Sequence, residues 1–498
     1  MNGMDAYAAL VARFRRRGRV EDALGILYWD RATLMPSGSA EGRADQIAEL
    51  SLIAREILIA PETAELLDCA EADRNRLESW QARNLELMRR EYLLATAVPT
   101  DLVEALQRAG AASEMCWRET RPANDFARQQ PHLEKVFALV RQAAAARGEA
   151  LGLAPYDAQL ELFEPGLREA TVAPVFEDLA VWLPDMIDDI LSRQAEAPEP
   201  APPRGPFPLA GQKALGQRVM AALGFRFAQG RLDESVHPFT GGVQDDVRLT
   251  TRYAPEGFAE ALMGIVHETG HALYEQGLPV EWRGQPVGRS GGMALHESQS
   301  LICEMQLSRG PAFLRWLSPL LAETFGPQAA FDPDNLNRLV TRVARGLIRV
   351  DADEATYPLH IVLRHRLEKA LLSGDLAVGD LPGAWNDGMA ELVGIRPPDD
   401  RDGCLQDIHW MDGAVGYFPT YTLGALAAAQ LMAALRRDVA DLDERVAGGD
   451  FAAFTGWLRE KVHRRGLSAT TEEVLADATG APLSAEAFRT HLAARYLG

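Results

Sequence analysis

Cysteine is scarce in this chain, and the few cysteines stand far apart. The sequence has four among 498 residues, and no two of them form a C-x-x-C pair. A disulfide framework or a cysteine-ligated zinc site requires paired cysteines, so neither is expected. The sequence predicts reduced thiols at Cys69, Cys116, Cys303 and Cys404.

The sequence also lacks a targeting segment and a membrane-spanning run. Residues 1–10 have neither the basic end nor the apolar centre of a signal peptide. No later apolar run reaches the roughly 20 residues that a helix needs to cross a bilayer. We therefore expect a cytoplasmic protein without a membrane partner.

Acidic residues outnumber basic residues in this chain. The formal net charge is −20 at pH 7, and the basic residues are nearly all arginine. A protein that binds nucleic acid needs a basic surface to neutralise phosphates, so no nucleic-acid partner is expected. The hydrophobic fraction of 47% is sufficient for a large buried core.

Strand patterns are few, and most of the chain has helical periodicity. Apolar residues recur at helical spacing in segments such as residues 44–58 and 133–147, and Thr470 with Glu473 forms a capping-box pattern. A strand pattern occurs at residues 247–253. The sequence therefore predicts a mainly α-helical protein with a small sheet.

A Pro-rich segment at residues 196–208 cannot be helical and predicts an extended connector. Placing a boundary there gives an N-terminal helical sub-domain at residues 1–195 and a catalytic helical sub-domain at residues 209–498. A long surface loop within one domain is an equally good interpretation of the same composition.

The most informative motif is H-E-x-x-H at residues 267–271. His267 and His271 lie about one turn apart on the same face of a helix, which suits adjacent corners of a zinc site. In such motifs the intervening glutamate does not bind the metal but acts as general base, a role that falls to Glu268. The pattern predicts metal-dependent hydrolysis, although isolated histidines on a helix are often ordinary core residues.

A catalytic zinc site needs a third protein ligand and leaves one position open. Residues 294–309 follow a Gly-rich break and have helical periodicity, with His296 and Glu297 near the start. Neighbouring helical residues point about 100° apart, so only one of them faces the first helix. We favour Glu297, and His296 is the alternative.

The chain resembles the carboxypeptidase Taq family of metallocarboxypeptidases through an ordered set of short segments, supported by smaller likenesses near Trp29 and residues 417–424. Only the zinc motif is specific by itself. The other segments are weak individually, and their occurrence in the same order as in the family carries the resemblance. The segments are residues 237–239 (HPF), 246–250 (DVRLT), 267–271 (HETGH), 296–300 (HESQS), 348–353 (IRVDAD) and 403–410 (GCLQDIHW).

This resemblance implies a large, saddle-shaped helical fold with a deep substrate groove, and a homodimer. The strand pattern at residues 247–253 predicts a small antiparallel sheet near the zinc site. The resemblance also implies removal of single residues from peptide C-termini. The metal ligands carry over to His267, His271 and Glu297, with Glu268 as base. One departure is the sequence Leu-Ile-Cys-Glu-Met at residues 301–305, where relatives often have Arg-Leu-Trp-Glu-Asn, and it falls one turn beyond the ligand.

A carboxypeptidase needs a cation that recognises the free C-terminal carboxylate. Arginine suits this task because its planar guanidinium holds a carboxylate bidentately. Arg349 is the first candidate and Arg248 the second. A structural ion pair with Asp246, Asp351 or Asp353 is the alternative interpretation of these arginines.

Amide hydrolysis passes through an oxyanion that needs hydrogen-bond donors. His237, His409 and Tyr421 are candidate donors because each lies in a segment that resembles the family. The sequence thus predicts a carboxypeptidase that uses water activated by one divalent metal per chain, zinc first, with cobalt or manganese as alternatives. An oligopeptidase that cuts internal bonds is the alternative enzyme, and a helical binding protein with a degenerate site is the non-enzymatic one.

Overall fold

The computed structural model describes residues 2–498, and helices dominate it, as the sequence predicts. The N-terminal helices are α1 (Gly3–Thr33), α2 (Ala40–Ile59), α3 (Pro61–Ala72), α4 (Ser79–Thr96), α5 (Thr100–Ala123), α6 (Phe126–Leu151), α7 (Pro155–Phe163) and α8 (Glu169–Glu196). The helices around the candidate site are α9 (Leu209–Ala222), α10 (Ala259–Gly277), α11 (Met293–Leu301), α12 (Pro311–Phe325), α13 (Pro333–Val340), α14 (Tyr357–Ser373) and α15 (Leu381–Leu392). The C-terminal helices are α16 (Pro419–Asp438), α17 (Leu442–Ala447), α18 (Ala452–Lys461), α19 (Thr471–Thr479) and α20 (Glu486–Leu492).

Helix boundaries follow local chemistry. The predicted capping box is confirmed at the start of α19, where the Thr470 side chain accepts from the Glu473 amide and the Glu473 side chain accepts from the Thr470 amide. Helix α5 ends at Asn124, whose φ of 54° is left-handed. Helix α11 continues directly into a π-helical segment, Ile302–Ser308. π-Helical segments are rare in proteins overall, and those that do occur are often found at functional sites.

The small sheet has three strands, β1 (Gly230–Glu234), β2 (Thr240–Val243) and β3 (Asp246–Thr251), in the order β1-β3-β2. The prediction of an all-antiparallel sheet is wrong, because β1 pairs with β3 in parallel and only β2 pairs with it antiparallel. The short turn between β2 and β3 joins these two strands as an antiparallel hairpin. The chain also reverses direction between β1 and β2, so β3 runs in the same direction as β1.

Three apolar clusters form the core. One lies among residues 6–88, a second combines residues 109–190 with residues 294–492, and a third extends from Phe207 to Ala478 around α10 and the sheet. The second cluster contains side chains from both sides of the Pro-rich segment. The division into two sub-domains at residues 196–208 stays a prediction.

The Pro-rich segment is extended after α8 and is held at defined points. The Ala201 amide donates to Asn335 Oδ1 at 2.8 Å, and the amide of the buried Phe207 donates to the Pro255 carbonyl at 2.8 Å. Within residues 2–498, no helix is both long enough and apolar enough to cross a membrane.

Candidate metal centre

His267, His271 and Glu297 converge, as the sequence predicts for metal ligands. One ligand atom from each lies within 4.8 Å of the others. Glu297 Oε2 is 3.7 Å from His267 Nε2 and 3.3 Å from His271 Nε2. The two imidazoles therefore present the same ring nitrogen to one carboxylate oxygen, which is a nitrogen and oxygen donor set suited to zinc.

Two glycines permit the helices of this site to approach closely. A Cβ on Gly270, inside the H-E-x-x-H motif, would lie 2.2 Å from the Gln299 carbonyl oxygen of α11. A Cβ on Gly424 of α16 would lie 2.9 Å from Cβ and Cγ of Glu297. Helix α11 is thus held between α10 and α16, and this packing places Glu297 opposite the histidines.

Replacing Gly270 with alanine is expected to destabilise the protein by about 1–3 kcal/mol and to weaken metal binding, because the added methyl group pushes α11 away from α10. Thermal unfolding and metal titration measure the two effects. Gly264→Ala is the matched control on the same helix, since its Cβ would have no neighbour closer than 3.9 Å. An equal response of both variants would contradict the packing argument.

His267 has a second carboxylate partner behind the site. Its Nδ1 lies 2.9 Å from Glu304 Oε2, and Arg309 donates to the other oxygen of Glu304 at 2.7 Å. Burial alone would raise the pKa of Glu304, but His267 and Arg309 lower it to about 2. The unusual sequence at residues 301–305 therefore keeps the glutamate that contacts a ligand histidine, while Leu301 and Met305 line the adjacent cavity.

His296, the alternative third ligand, lies behind His271 instead. Its Nδ1 is 2.7 Å from His271 Nδ1, and its Nε2 is 2.9 Å from Glu275 Oε1. Both of its ring nitrogens are therefore occupied by protein groups. This geometry favours Glu297 as the third ligand.

The donor set and the local charge fit a divalent cation. Glu268, Glu297 and Glu304 are all close enough to raise the pKa of His267, and Arg309 is the cation paired with Glu304. Burial alone would lower the pKa of His267, but Glu297 and Glu304 raise it to about 10. Positive charge is thus strongly favoured where the three ligand atoms meet.

The predicted base, Glu268, is buried and held by the sheet. Thr240 of β2 donates from its hydroxyl to Glu268 Oε2 at 2.6 Å. This contact occupies one carboxylate oxygen and leaves the other for a substrate or water proton. Sequence reasoning missed Thr240, because nothing in the residues before β3 indicates which side chain meets α10.

Arg349, in a short 3₁₀ turn, belongs to a buried charge cluster. Asp407 accepts from Arg349 Nη2 at 2.7 Å and from Arg364 Nε at 2.7 Å, so one carboxylate faces two guanidinium groups. The ion pair that the sequence allows for Arg349 is present, with Asp407 as its partner instead of Asp351 or Asp353. The cluster carries a net charge of about +1, because only one carboxylate opposes two arginines.

Part of the Arg349 guanidinium is left for a ligand. Asp407 takes the Nε and Nη2 edge, and Tyr357 Oη accepts from Nη1 at 3.1 Å. A guanidinium has five N–H groups. Among residues 2–498, one N–H on each terminal nitrogen has no protein acceptor, so two donors of Arg349 are left for a ligand. Asp407 was not singled out in the sequence, although it lies within the matching segment at residues 403–410.

His409 and Tyr421 lie beside this cluster. His409 Nε2 is 3.2 Å from Tyr421 Oη, and the Arg349 guanidinium lies 5.1 Å from the centre of the Tyr421 ring. Burial lowers the pKa of His409 to about 4, and Asp407 opposes that shift only in part. His409 is therefore neutral at pH 7, and burial raises the pKa of Tyr421, so that each side chain carries one proton; the contact between them uses one of the two and leaves the other for a ligand.

Two predicted site residues lie elsewhere. Arg248 pairs with Asp246 on β3, and its guanidinium lies 4.6 Å from the centre of the Trp29 ring. This is the ordinary ion pair that the sequence allows. The side chain of His237 is exposed in the segment between β1 and β2. Neither residue lines the cavity that lies between His267, Glu297 and Arg349.

A cavity of about 270 Å³ lies between two of the candidate metal ligands and the arginine cluster. His267 and Glu297 line one side, and Arg349 and Tyr357 line another. The remaining lining near them includes Leu301, Met305, Pro358, Ala425, Ala428 and Phe488. A peptide carbonyl at the metal centre and a carboxylate at Arg349 can thus share one cavity.

Comparison with known proteins identifies a family over nearly the whole chain. A family model described as carboxypeptidase Taq (M32) metallopeptidase matches residues 9–496. The thermostable carboxypeptidase 1 of Thermus thermophilus is 36% identical over 502 residues, which cover 99% of this chain and 98% of that protein. Carboxypeptidase 1 of Bacillus subtilis is 32% identical over 484 residues, covering 97% and 96%.

Solved structures give the same result. The Trypanosoma cruzi metallocarboxypeptidase 1 has a TM-score of 0.98 and 38% sequence identity, with 99% of this chain and 100% of that chain covered. The M32 carboxypeptidase from Deinococcus radiodurans has a TM-score of 0.93 and 35% identity, with 99% and 100% covered.

Proposed function

The chain belongs to the carboxypeptidase Taq (M32) metallopeptidase family and is therefore a metal-dependent carboxypeptidase acting on peptides, and we propose that its metal is zinc held by His267, His271 and Glu297. The observation that carries the proposal is that the three ligand atoms lie within 4.8 Å of one another, and that the cavity lined by two of them, His267 and Glu297, is also lined by Arg349. Zinc bound there would polarise the scissile carbonyl and activate a water molecule.

Glu268 is the proposed general base. Thr240 holds one of its oxygens, and the other accepts a proton from the attacking water and then returns it to the departing amine. Because Glu268 is buried, bulk water has little access to its carboxyl group. The same carboxyl group can therefore take the proton from the attacking water and deliver it to the amine.

Arg349 is the proposed anchor for the substrate's C-terminal carboxylate. Its two N–H groups without a protein acceptor and the net positive charge of the Arg349–Asp407–Arg364 cluster favour an anion at this end of the cavity. A carboxylate held there places the last peptide bond toward the metal ligands, which explains removal of one residue at a time. Arg248 stays a second candidate.

Tyr421 and His409, which lie beside Arg349, are the proposed donors to the developing oxyanion, and the exposed His237 is a further candidate. Tyr421→Phe is expected to lower kcat by about 10²-fold with little change in KM, because a donor that acts on the transition state affects kcat first. Steady-state kinetics on a short peptide measures this. A tenfold rise in KM with unchanged kcat would instead assign Tyr421 to ground-state binding.

Metal analysis followed by chelation and reconstitution tests the proposed metal. Zinc is expected to restore activity to the stripped protein at stoichiometric amounts, and cobalt or manganese serve as comparison ions. Restoration by manganese alone would reject zinc.

An oligopeptidase that cuts internal bonds is the alternative enzyme, because the same set of metal ligands and base can hydrolyse an internal amide. Mass spectrometry of a digested peptide distinguishes the two. Stepwise loss of single C-terminal residues supports the carboxypeptidase, and internal fragments support the oligopeptidase. A homodimer and a cytoplasmic location are further proposals, and light scattering after size exclusion tests the dimer.

A further inference from the structure

The two proposed ligand histidines differ in what holds their second nitrogen. Both present Nε2 to Glu297, so a metal bound there takes the Nε2 lone pair and each Nδ1 must carry a proton. That proton needs an acceptor, which fixes the ring orientation. His267 has a carboxylate acceptor, Glu304, at 2.9 Å.

His271 has another imidazole instead. Its Nδ1 lies 2.7 Å from His296 Nδ1, and a hydrogen bond between two ring nitrogens requires one donor and one acceptor. Because His271 Nδ1 donates, His296 Nδ1 must accept. The proton of neutral His296 then lies on Nε2, 2.9 Å from Glu275 Oε1, which accepts it.

The surroundings of His296 hold this arrangement in place. Its ring lies between the rings of His271 and Tyr274, with centroid distances of 4.7 and 5.3 Å. The Tyr274 hydroxyl accepts from the Gly291 amide at 2.8 Å, just before α11 begins. Glu275 Oε1 lies 2.9 Å from His296 Nε2, and a carboxylate can only accept.

We propose that His296 is a positioning residue for the metal site: Glu275 fixes the tautomer of His296, and His296 Nδ1 then orients His271 by accepting its Nδ1 proton. The inference rests on the proposed ligand set. It assigns the histidine next to Glu297 a role in metal affinity without contact to the metal.

Two substitutions separate the nitrogens of His296. Asparagine places its amide oxygen where Nδ1 stands, and can still accept from His271. Glutamine places its amide near the position of Nε2, and can reach Glu275 but not His271. We expect His296→Gln to bind zinc 10–100-fold more weakly than wild type, as for other lost outer partners of a ligand histidine, and His296→Asn to stay within about threefold.

The measurement is zinc affinity of the metal-free full-length protein, by competition with a chromophoric chelator, together with thermal unfolding of the metal-free variants. His132→Asn on α6, outside the site, is the matched control for loss of an imidazole, and Glu304→Gln is the comparison at His267. The inference is overturned if His296→Asn weakens zinc binding as much as His296→Gln, or if His296→Gln binds zinc as wild type does. Failure of the ligand set itself gives a different result, namely unchanged zinc affinity in His271→Ala.

Discussion

Replacing Glu268 with glutamine is expected to lower kcat by about 10³–10⁴-fold while the protein keeps its metal, since general acid–base catalysis contributes about 10²–10⁴-fold and one carboxylate here serves both proton transfers. Glutamine has nearly the same shape and still has an oxygen that accepts from Thr240, which donates to Glu268 at 2.6 Å in the native protein. It cannot take a proton from water. Binding and fold are therefore preserved while catalysis is lost.

Steady-state kinetics and metal analysis of the purified variant check this result. Glu260→Gln is the matched control, because Glu260 lies on the same helix, is exposed and pairs only with Arg252. That variant is expected to retain wild-type kcat. Retention of more than a tenth of the activity by Glu268→Gln would remove Glu268 from the role of base, and loss of metal would place it among the ligands.

The parts of the site that the sequence predicts are those within one helical turn or one short segment. The spacing of His267 and His271 places both on one face of a helix because the α-helix repeats every 3.6 residues. Helix content and the capping box at Thr470 are equally local. Each of these features depends on neighbours in the chain, which a single sequence records.

The features that the sequence could not provide depend on tertiary packing. Thr240 meets Glu268 only because β2 lies against α10, and Asp407 meets Arg349 across 58 positions in the chain. The parallel pairing of β1 with β3 depends on strand order, which local patterns do not encode. The sequence favours Glu297 over His296 as the third ligand, but the position of His296 behind His271 depends on the crossing of α10 and α11 at Gly270.

Replacing Arg349 with alanine is expected to lower kcat/KM for peptides with a free C-terminus by about 10³-fold. Losing one partner of a buried charge pair costs about 3–5 kcal/mol, and each 1.4 kcal/mol is about tenfold. The fold is expected to survive, because Asp407 keeps its bonds from Arg364 at 2.7 Å and 2.6 Å and so is not left unpaired. The loss should therefore fall on substrate recognition.

The decisive quantity is the ratio of kcat/KM for a peptide acid to that for the same peptide amide. In wild type the acid is expected to be preferred, because its carboxylate would meet the two N–H groups of Arg349 that have no protein acceptor; in Arg349→Ala the ratio should approach one, since cleavage of the amide would not use that contact. Arg349→Lys should give an intermediate ratio, because an ammonium restores the charge without the planar pair of donors. Arg248→Ala is the competing variant, with its arginine already paired to Asp246. If Arg248→Ala collapses the ratio and Arg349→Ala leaves it intact, the carboxylate anchor is Arg248, and the cavity between Glu297 and Arg349 does not hold the substrate's end.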